Sequence, residues 1–264
     1  MMTQAYEVLA VKYATRETVA SQVFLNYYVY QQADFPIVMD YFFWVIRNDE
    51  RTIVVDTGFT PETAASHGRE MILPVPEGLK AVGVDPLSVD TLIITHCHYD
   101  HTGNIHLFPN AEVVISRREL DFWSSPVAER FQLAMTLHKP DLELLLDWDR
   151  AGRLTKVVGT HDAIPGVKLT EVGGHTPGQM IVMVEGKSGP VLLTSDAVHY
   201  YVEVENDWPF VIATDLPEFY LALDTVRELS EAPGVSCVAG HDPAVMDRFP
   251  PIDPSNPGLG VRVP

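Results

Sequence analysis

The sequence predicts a layered α/β or α+β protein folded as a single domain over residues 1–264. Three observations carry that expectation. Short apolar runs rich in β-branched residues recur between turn signals, segments of helical periodicity separate them, and no linker-like or low-complexity stretch divides the chain. At 46% hydrophobic and 20% charged the composition is that of an ordinary globular protein, long enough for a sizeable core.

The elements follow in order. YEVLAVKYA reads as an opening strand, and YFFWVIRNDERTIVVDTG as a hairpin turning at Asn48-Asp49-Glu50. TPETAASHG reads as a helix with Thr60 as N-cap and Pro61 at its first position. VDTLIITH is a buried strand and AEVVIS another, after Pro109-Asn110. Residues 117–138 read as mostly helical, broken at Ser124-Ser125-Pro126, and PDLELLLDWDRAG sets Leu142, Leu145 and Leu146 at helical spacing before stopping at Gly152. VKLTEVGG, MIVMVEG, PVLLTSD and VSCVAGH are further strands. Before the last of these, DLPEFYLALDTVRELSEAPG forms one apolar stripe from Phe219, Leu223, Val226 and Leu229, ended by Pro233-Gly234. Residues 249–264, FPPIDPSNPGLGVRVP, are too rich in proline and glycine for regular structure. They are expected to be a mobile tail or an arm laid on a neighbouring copy, as in a homodimer. TIVVDTG and PVLLTSD echo one another as apolar strands that end at an acid.

Charge and cysteine content narrow the function. The formal charge is −18, from 36 acids against 18 bases, which argues against a nucleic-acid surface. It disfavours anionic membranes and strongly anionic substrates too, unless a local basic pocket overrides it. Cys97 and Cys237 are the two cysteines, too few for a disulfide framework and suited to a reducing cytoplasm. The start MMTQAYEVLAV lacks the basic and long apolar regions of a signal peptide, and no run approaches the ~18 apolar residues of a membrane span. A soluble cytoplasmic protein with neither nucleic-acid nor membrane partners is expected.

The chemistry concentrates in THCHYDHTGN, residues 95–104, with three histidines and an aspartate inside six positions. His96 and His98 project to one side just past a strand, with Asp100 and His101 at the turn that follows. Imidazoles and a carboxylate in this pattern form half of a site for a borderline metal such as zinc. His175 in GGHTPG, Asp196 in LLTSDA and His241 in VAGHDP each follow an apolar strand, where layered sheets carry their sites.

His-x-His-x-Asp-His, followed in order by a strand-end His, Asp and His, resembles the metallo-β-lactamase superfamily. The resemblance begins at VVDTG, where Asp56 matches the family's first strand-end aspartate, and runs through GHD. It implies an αββα sandwich of two mixed β-sheets flanked by helices and built from two similar halves, which would account for the echo. It also implies two divalent metal ions, zinc foremost, with iron, manganese or cobalt as alternatives. His96, His98 and His175 would hold one ion, Asp100, His101 and His241 the other, and Asp196 would bridge them. Asp56 would orient a ligand rather than bind metal.

Within the superfamily, His98 stands where flavodiiron-type members carry glutamate, and the second-metal set that sulfur dioxygenases usually lack is complete. Nuclease members carry added domains and basic surfaces. Only 23 residues follow His241, short of the helical segment of glyoxalase II-like thioesterases. DFPIVMDYFFWVIRNDERTIVVDTGF, the spacing through HYDHTGNIHLFPNAEVVISRRE, and the helical insertion before GGHTPGQ resemble the N-acyl-homoserine lactonase branch. The implied activity is opening of a lactone, or a similar ester, by a hydroxide bridging the metals. The alternatives are another ester or thioester hydrolase of the fold, or a non-hydrolytic iron metalloprotein. In the lactonase branch a tyrosine three residues after the bridging aspartate contacts the lactone; here that position is His199, followed by Tyr200 and Tyr201. A phenol donates without titrating near neutrality, so Tyr200 is the expected oxyanion donor and His199 the alternative. Asp100 would help hold the metals and the nucleophile. Phe35 and Trp208, in predicted loops, are the expected pocket walls, and His67, His106, His138 and His161 are read as surface or packing residues.

Overall fold

A computed structural model of the chain describes residues 5–264. Its first long strand, β1 (Glu7–Val19), runs well past the expected opening segment, because it stays paired antiparallel with β2 (Pro36–Arg47) through a bulge between Lys12 and Ala14. β2 turns into β3 (Thr52–Val55) where Asn48 was expected to turn it, its side-chain oxygen accepting from the Glu50 and Arg51 amides. α1 (Pro61–His67) starts as read, with Thr60 Oγ1 accepting from the Thr63 amide. A two-residue strand, β4 (Glu70–Met71), then α2 (Val75–Ala81), lead to β5 (Thr91–Ile94) and the one-turn α3 (Tyr99–Thr102). β6 (Glu112–Ser116) precedes α4 (Arg117–Trp123), α5 (Phe131–Ala134) and α6 (Lys139–Arg150), and β7 (Leu154–Val157) closes this half.

The second half holds β8 (Thr160–Ile164), β9 (Val167–Glu171), β10 (Met180–Glu185) and β11 (Pro190–Leu193). α7 (Tyr201–Asn206), α8 (Leu216–Ser230), β12 (Ser236–Val238), α9 (Val245–Arg248) and β13 (Gly260–Val263) complete the chain. One sheet has the order β13-β1-β2-β3-β5-β6-β7 with β4 also on β1, and the other β12-β11-β10-β9-β8. Both are mixed, and helices flank them. The central strands β3 and β5 are buried at nearly every residue, as strands covered on both faces must be.

The echo between TIVVDTG and PVLLTSD has a structural counterpart. β1-β2-β3-β5 pair antiparallel, antiparallel, then parallel, and β9-β10-β11-β12 repeat that sequence of pairings. Past β3 and β11 the chain turns through left-handed residues, Asp56 (φ 58°) and Ser195 (φ 46°). Thr95 joins the two turns, its Oγ1 lying 2.7 Å from both Asp56 Oδ2 and Ser195 Oγ.

The C-terminal stretch departs from expectation. It is neither a tail without regular structure nor an arm reaching outward, since β13 pairs with β1 of its own sheet, Val261 opposite Ala10 and Val263 opposite Val8. Pro250, Pro251, Pro254 and Pro257 all precede the strand, whose Val261-Arg262-Val263 alternates with both valines buried. Gly260 is required there, because a Cβ would meet the Ala10 carbonyl oxygen at 2.2 Å. Deleting residues 260–264 should lower the unfolding free energy by about 3 kcal/mol, from two buried valines at about 1.5 kcal/mol each. An unchanged urea midpoint would show the strand contributes nothing.

Candidate metal centre

Both sheets deliver their strand ends to one edge of the sandwich. β3 ends at Asp56, β5 at the loop carrying His96 and His98, and α3 carries Asp100 and His101. The β9–β10 turn brings His175, the turn after β11 brings Asp196, and the segment after β12 brings His241. All seven expected ligands are buried. They form two groups, His96, His98, His175 and Asp196 in one and Asp100, His101 and His241 in the other, with the donor atoms of each within 4.8 Å of one another.

Asp196 joins the groups. Its Oδ2 lies 3.3 Å from His175 Nε2 and 3.7 Å from His96 Nε2. Its Oδ1 lies 3.2 Å from His101 Nε2 and 3.1 Å from His241 Nε2. One carboxylate thus divides its two oxygens between two imidazole sets, as a bridge between two cations requires.

The surrounding contacts aim the imidazoles. His101 Nδ1 lies 2.7 Å from Asp56 Oδ2, His175 Nδ1 2.8 Å from the Ile212 carbonyl and His241 Nδ1 2.8 Å from the Asp40 carbonyl. Each of these oxygens accepts from Nδ1–H, which leaves the Nε2 lone pair facing the centre. Asp56 is therefore placed as an orienting group, held in turn by the Thr95 amide and hydroxyl. Tyr13, at the bulge of β1, supports α3 by donating to the Asp100 carbonyl.

The residues fit a pair of metal ions. The Nε2 atoms of His96 and His101 are buried without a hydrogen-bond partner among the described residues, and orphaned polar atoms of this kind call for an ion or another unseen partner. Burial, then the neighbouring His101, depresses His96; burial brings His98 down to about 4; and burial, then His98, depresses His175. These imidazoles are thus neutral at physiological pH, the form that binds metal. Burial opposes the charge on Asp196, yet the surrounding imidazoles, His101 foremost, hold its carboxyl well below the usual range.

The approach is a cleft in which Tyr41, Tyr99, Met39 and Phe210 stand beside His98, Asp100, His175 and Asp196. It adjoins an apolar lobe formed by Leu133, Met135, Val211 and Ile212. Neither expected wall residue lines either part. Phe35 is 41% exposed and packs near Tyr27, while Trp208 stacks on Tyr30 at 4.8 Å within an aromatic cluster that includes Phe24. His67, expected as a surface or packing residue, stacks on Tyr99 at 4.0 Å and lines the cleft.

Tyr200 does not take the expected position. Its hydroxyl donates to the Val38 carbonyl at 3.1 Å, and its ring packs edge-on to Phe24, because the residue is the N-cap of α7 and points away from the centre. His199 faces inward instead. Its Nε2 lies 3.0 Å from Asp196 Oδ2, its Nδ1 3.4 Å from Glu203, and Phe210 stacks on its ring at 3.7 Å. Burial works against a charged His199, but Asp196 and then Glu203 raise it to about 9. Tyr200→Phe should therefore leave kcat within about twofold, whereas His199→Ala should lower it about 10–100-fold, the scale of outer contacts in metal sites. Steady-state kinetics of both variants on one substrate decides this, and a crippled Tyr200→Phe would restore the tyrosine.

Sequence reading missed Glu119. Buried in α4, its carboxylate accepts from the Cys97 amide at 2.8 Å, the Gly178 amide at 2.9 Å and Trp123 Nε1 at 2.6 Å. It ties the loop between His96 and His98 to the turn that follows His175.

A mixed-sheet sandwich with His-x-His-x-Asp-His and a further strand-end His, Asp and His beside it defines a class of proteins. The chain belongs to the metallo-β-lactamase superfamily, which residues 39–241 match. Among curated relatives, an N-acyl homoserine lactonase of Bacillus sp. is 29% identical over 204 residues, 71% of this chain and 74% of that protein. The N-acyl homoserine lactonase AttM of Azorhizobium caulinodans is 34% identical over 186 residues, 65% of each chain. A quorum-quenching N-acyl homoserine lactone lactonase has the same fold, with a TM-score of 0.76 at 22% identity over 92% of this chain and 95% of that one. So has AidC, a dizinc quorum-quenching lactonase solved with a product, with a TM-score of 0.70 at 19% identity over 92% of this chain and 90% of that one.

Proposed function

We propose that this protein is a metal-dependent hydrolase that opens lactone rings, N-acyl homoserine lactones foremost. The division of Asp196 between two imidazole sets carries the reading, and the lactonase relatives supply its substrate class. Five imidazoles and two carboxylates, with no cysteine among them, suit zinc, with iron, manganese or cobalt as alternatives. Two bound ions would polarise the ester carbonyl and lower the pKa of water toward neutrality.

The chain's own residues supply the remainder. His96, His98 and His175 would hold one ion, Asp100, His101 and His241 the other, and Asp196 both. Asp100, on α3 at the floor of the cleft, would orient the attacking water by accepting one of its protons in a hydrogen bond. His199 fixes the Asp196 carboxylate from behind, with Glu203 beyond it. The lobe of Leu133, Met135, Val211 and Ile212 offers an apolar bed for an acyl chain, in the place first assigned to Phe35 and Trp208. Two unpaired cysteines support a reducing, cytoplasmic setting.

Purification without added metal, elemental analysis and a pH-indicator assay across lactones of varied ring and chain would test this. About two ions per chain, and turnover lost on chelation and regained on metal addition, are expected. A two-metal protein that hydrolyses no lactone or ester would overturn it.

A further inference from the structure

We propose that the cleft selects lactones or esters that carry an anionic substituent, a carboxylate, and that Arg16 and Arg69 hold that group. The inference rests on the hydrolase reading above and, within its lactone and ester class, ranks acid-bearing members above the neutral N-acyl homoserine lactones.

Arg16 lies on β1, and Arg69 immediately precedes β4. The ladder pairs Ala14 with Met71 and Thr15 with Glu70, and the next residues along are Arg16 and Arg69, which line one cleft. Like charges facing one another across strands are destabilising. Acids outnumber bases two to one in this chain, yet no salt bridge joins either guanidinium to a carboxylate among the described residues. Arg47, Arg118 and Arg227 all have acidic partners. Among the described residues, Arg16 Nη2 donates to Gln22 Oε1 alone, at 3.5 Å. Arg69 donates from Nε to the Tyr99 hydroxyl at 3.2 Å and from Nη1 to the His67 carbonyl at 2.7 Å. Those two bonds fix the plane of the guanidinium and leave its Nη2 without an acceptor among the described residues.

Both arginines line the same cleft as His98, Asp100 and Asp196. Tyr41 and Tyr99 line that cleft too. Tyr41 in turn stands edge-on to His241 at 5.0 Å. A pair of half-buried guanidiniums with unused donors, converging on a cleft beside the reacting centre, is the arrangement that recognises a carboxylate. It supplies the local basic pocket that a net charge of −18 would otherwise argue against.

The test compares a lactone bearing a carboxylate with its carboxamide counterpart on the zinc-loaded protein. The acid should be favoured at least about tenfold in kcat/KM, mainly through KM, with the preference shrinking as salt rises. Arg16→Gln and Arg69→Gln should each drive the acid-to-amide ratio toward one, with metal content and circular dichroism as checks on folding. Calorimetry with the corresponding non-hydrolysable lactam acid should show the same loss of affinity in both variants. A wild-type ratio near one, or a ratio unchanged in the two variants, would overturn the proposal while leaving the hydrolase reading intact. If neither these two lactones nor any other lactone or ester is hydrolysed the hydrolase reading falls, and calorimetry still decides whether the arginines bind the acid.

Discussion

Replacing Asp196 by alanine should empty both metal positions together and abolish turnover. Outer contacts of a metal site are worth about 10–100-fold, and a ligand shared by two ions should exceed the upper figure. The cause is the geometry of its two oxygens, which face His96 and His175 on one side and His101 and His241 on the other. Removing either flank should act differently. His175→Ala should cost mainly the first ion and His241→Ala mainly the second, since each contributes to one group alone. Asp196→Asn keeps the shape and removes the charge, so its metal loss should fall between wild type and alanine. Elemental analysis of the four variants gives the order directly, and two retained ions in Asp196→Ala would remove the bridge.

The second large effect is expected at Glu119, far from any reacting atom. Truncation to alanine strands three buried donors, the amides of Cys97 and Gly178 and the indole N–H of Trp123. At the lower bound of about 1 kcal/mol for each, the protein should lose about 3 kcal/mol of stability. Gly178 cannot compensate by accepting a side chain, because a Cβ would meet the Glu119 amide nitrogen at 2.4 Å. Since Cys97 sits between His96 and His98, affinity for the first ion should fall more than for the second. Glu119→Gln keeps one carbonyl acceptor but turns an amide N–H₂ toward a donor, so it should be intermediate in urea unfolding. Equal midpoints for all three proteins would show that this buried carboxylate organises nothing.

Much of the site was legible in the sequence because its ligands sit where apolar strands stop, and both features are local. His96, His98, Asp100 and His101 fall within six positions, and His175, Asp196 and His241 each follow a recognisable strand. The misjudged residues depend on non-local geometry. Tyr200 and His199 differ by one position, and only the start of α7 decides which faces inward. Phe35 and Trp208 were chosen for lying in loops, yet the aromatic cluster around Phe24 holds Trp208 aside. The final strand was hidden by its prolines, although Val261 and Val263 carry the alternation that pairs it with β1. Arg16 and Arg69 are 53 positions apart by number and meet only through the short β4 ladder, which no sequence periodicity announces.

The repeated pairing pattern of the two sheets has a consequence for how the molecule comes apart. His96 and His98 come from the first repeat and His175 from the second, and likewise Asp100 and His101 from the first and His241 from the second. Each ion would therefore act as a rivet driven through the seam between the repeats, gripping both plates. Occupancy would then report mechanical union as much as readiness for chemistry, since binding confined to the assembled form stabilises it by mass action. Stripping the rivets should loosen the joint before it softens either plate. The edge where substrate is handled is thus also the edge along which the protein is clasped shut.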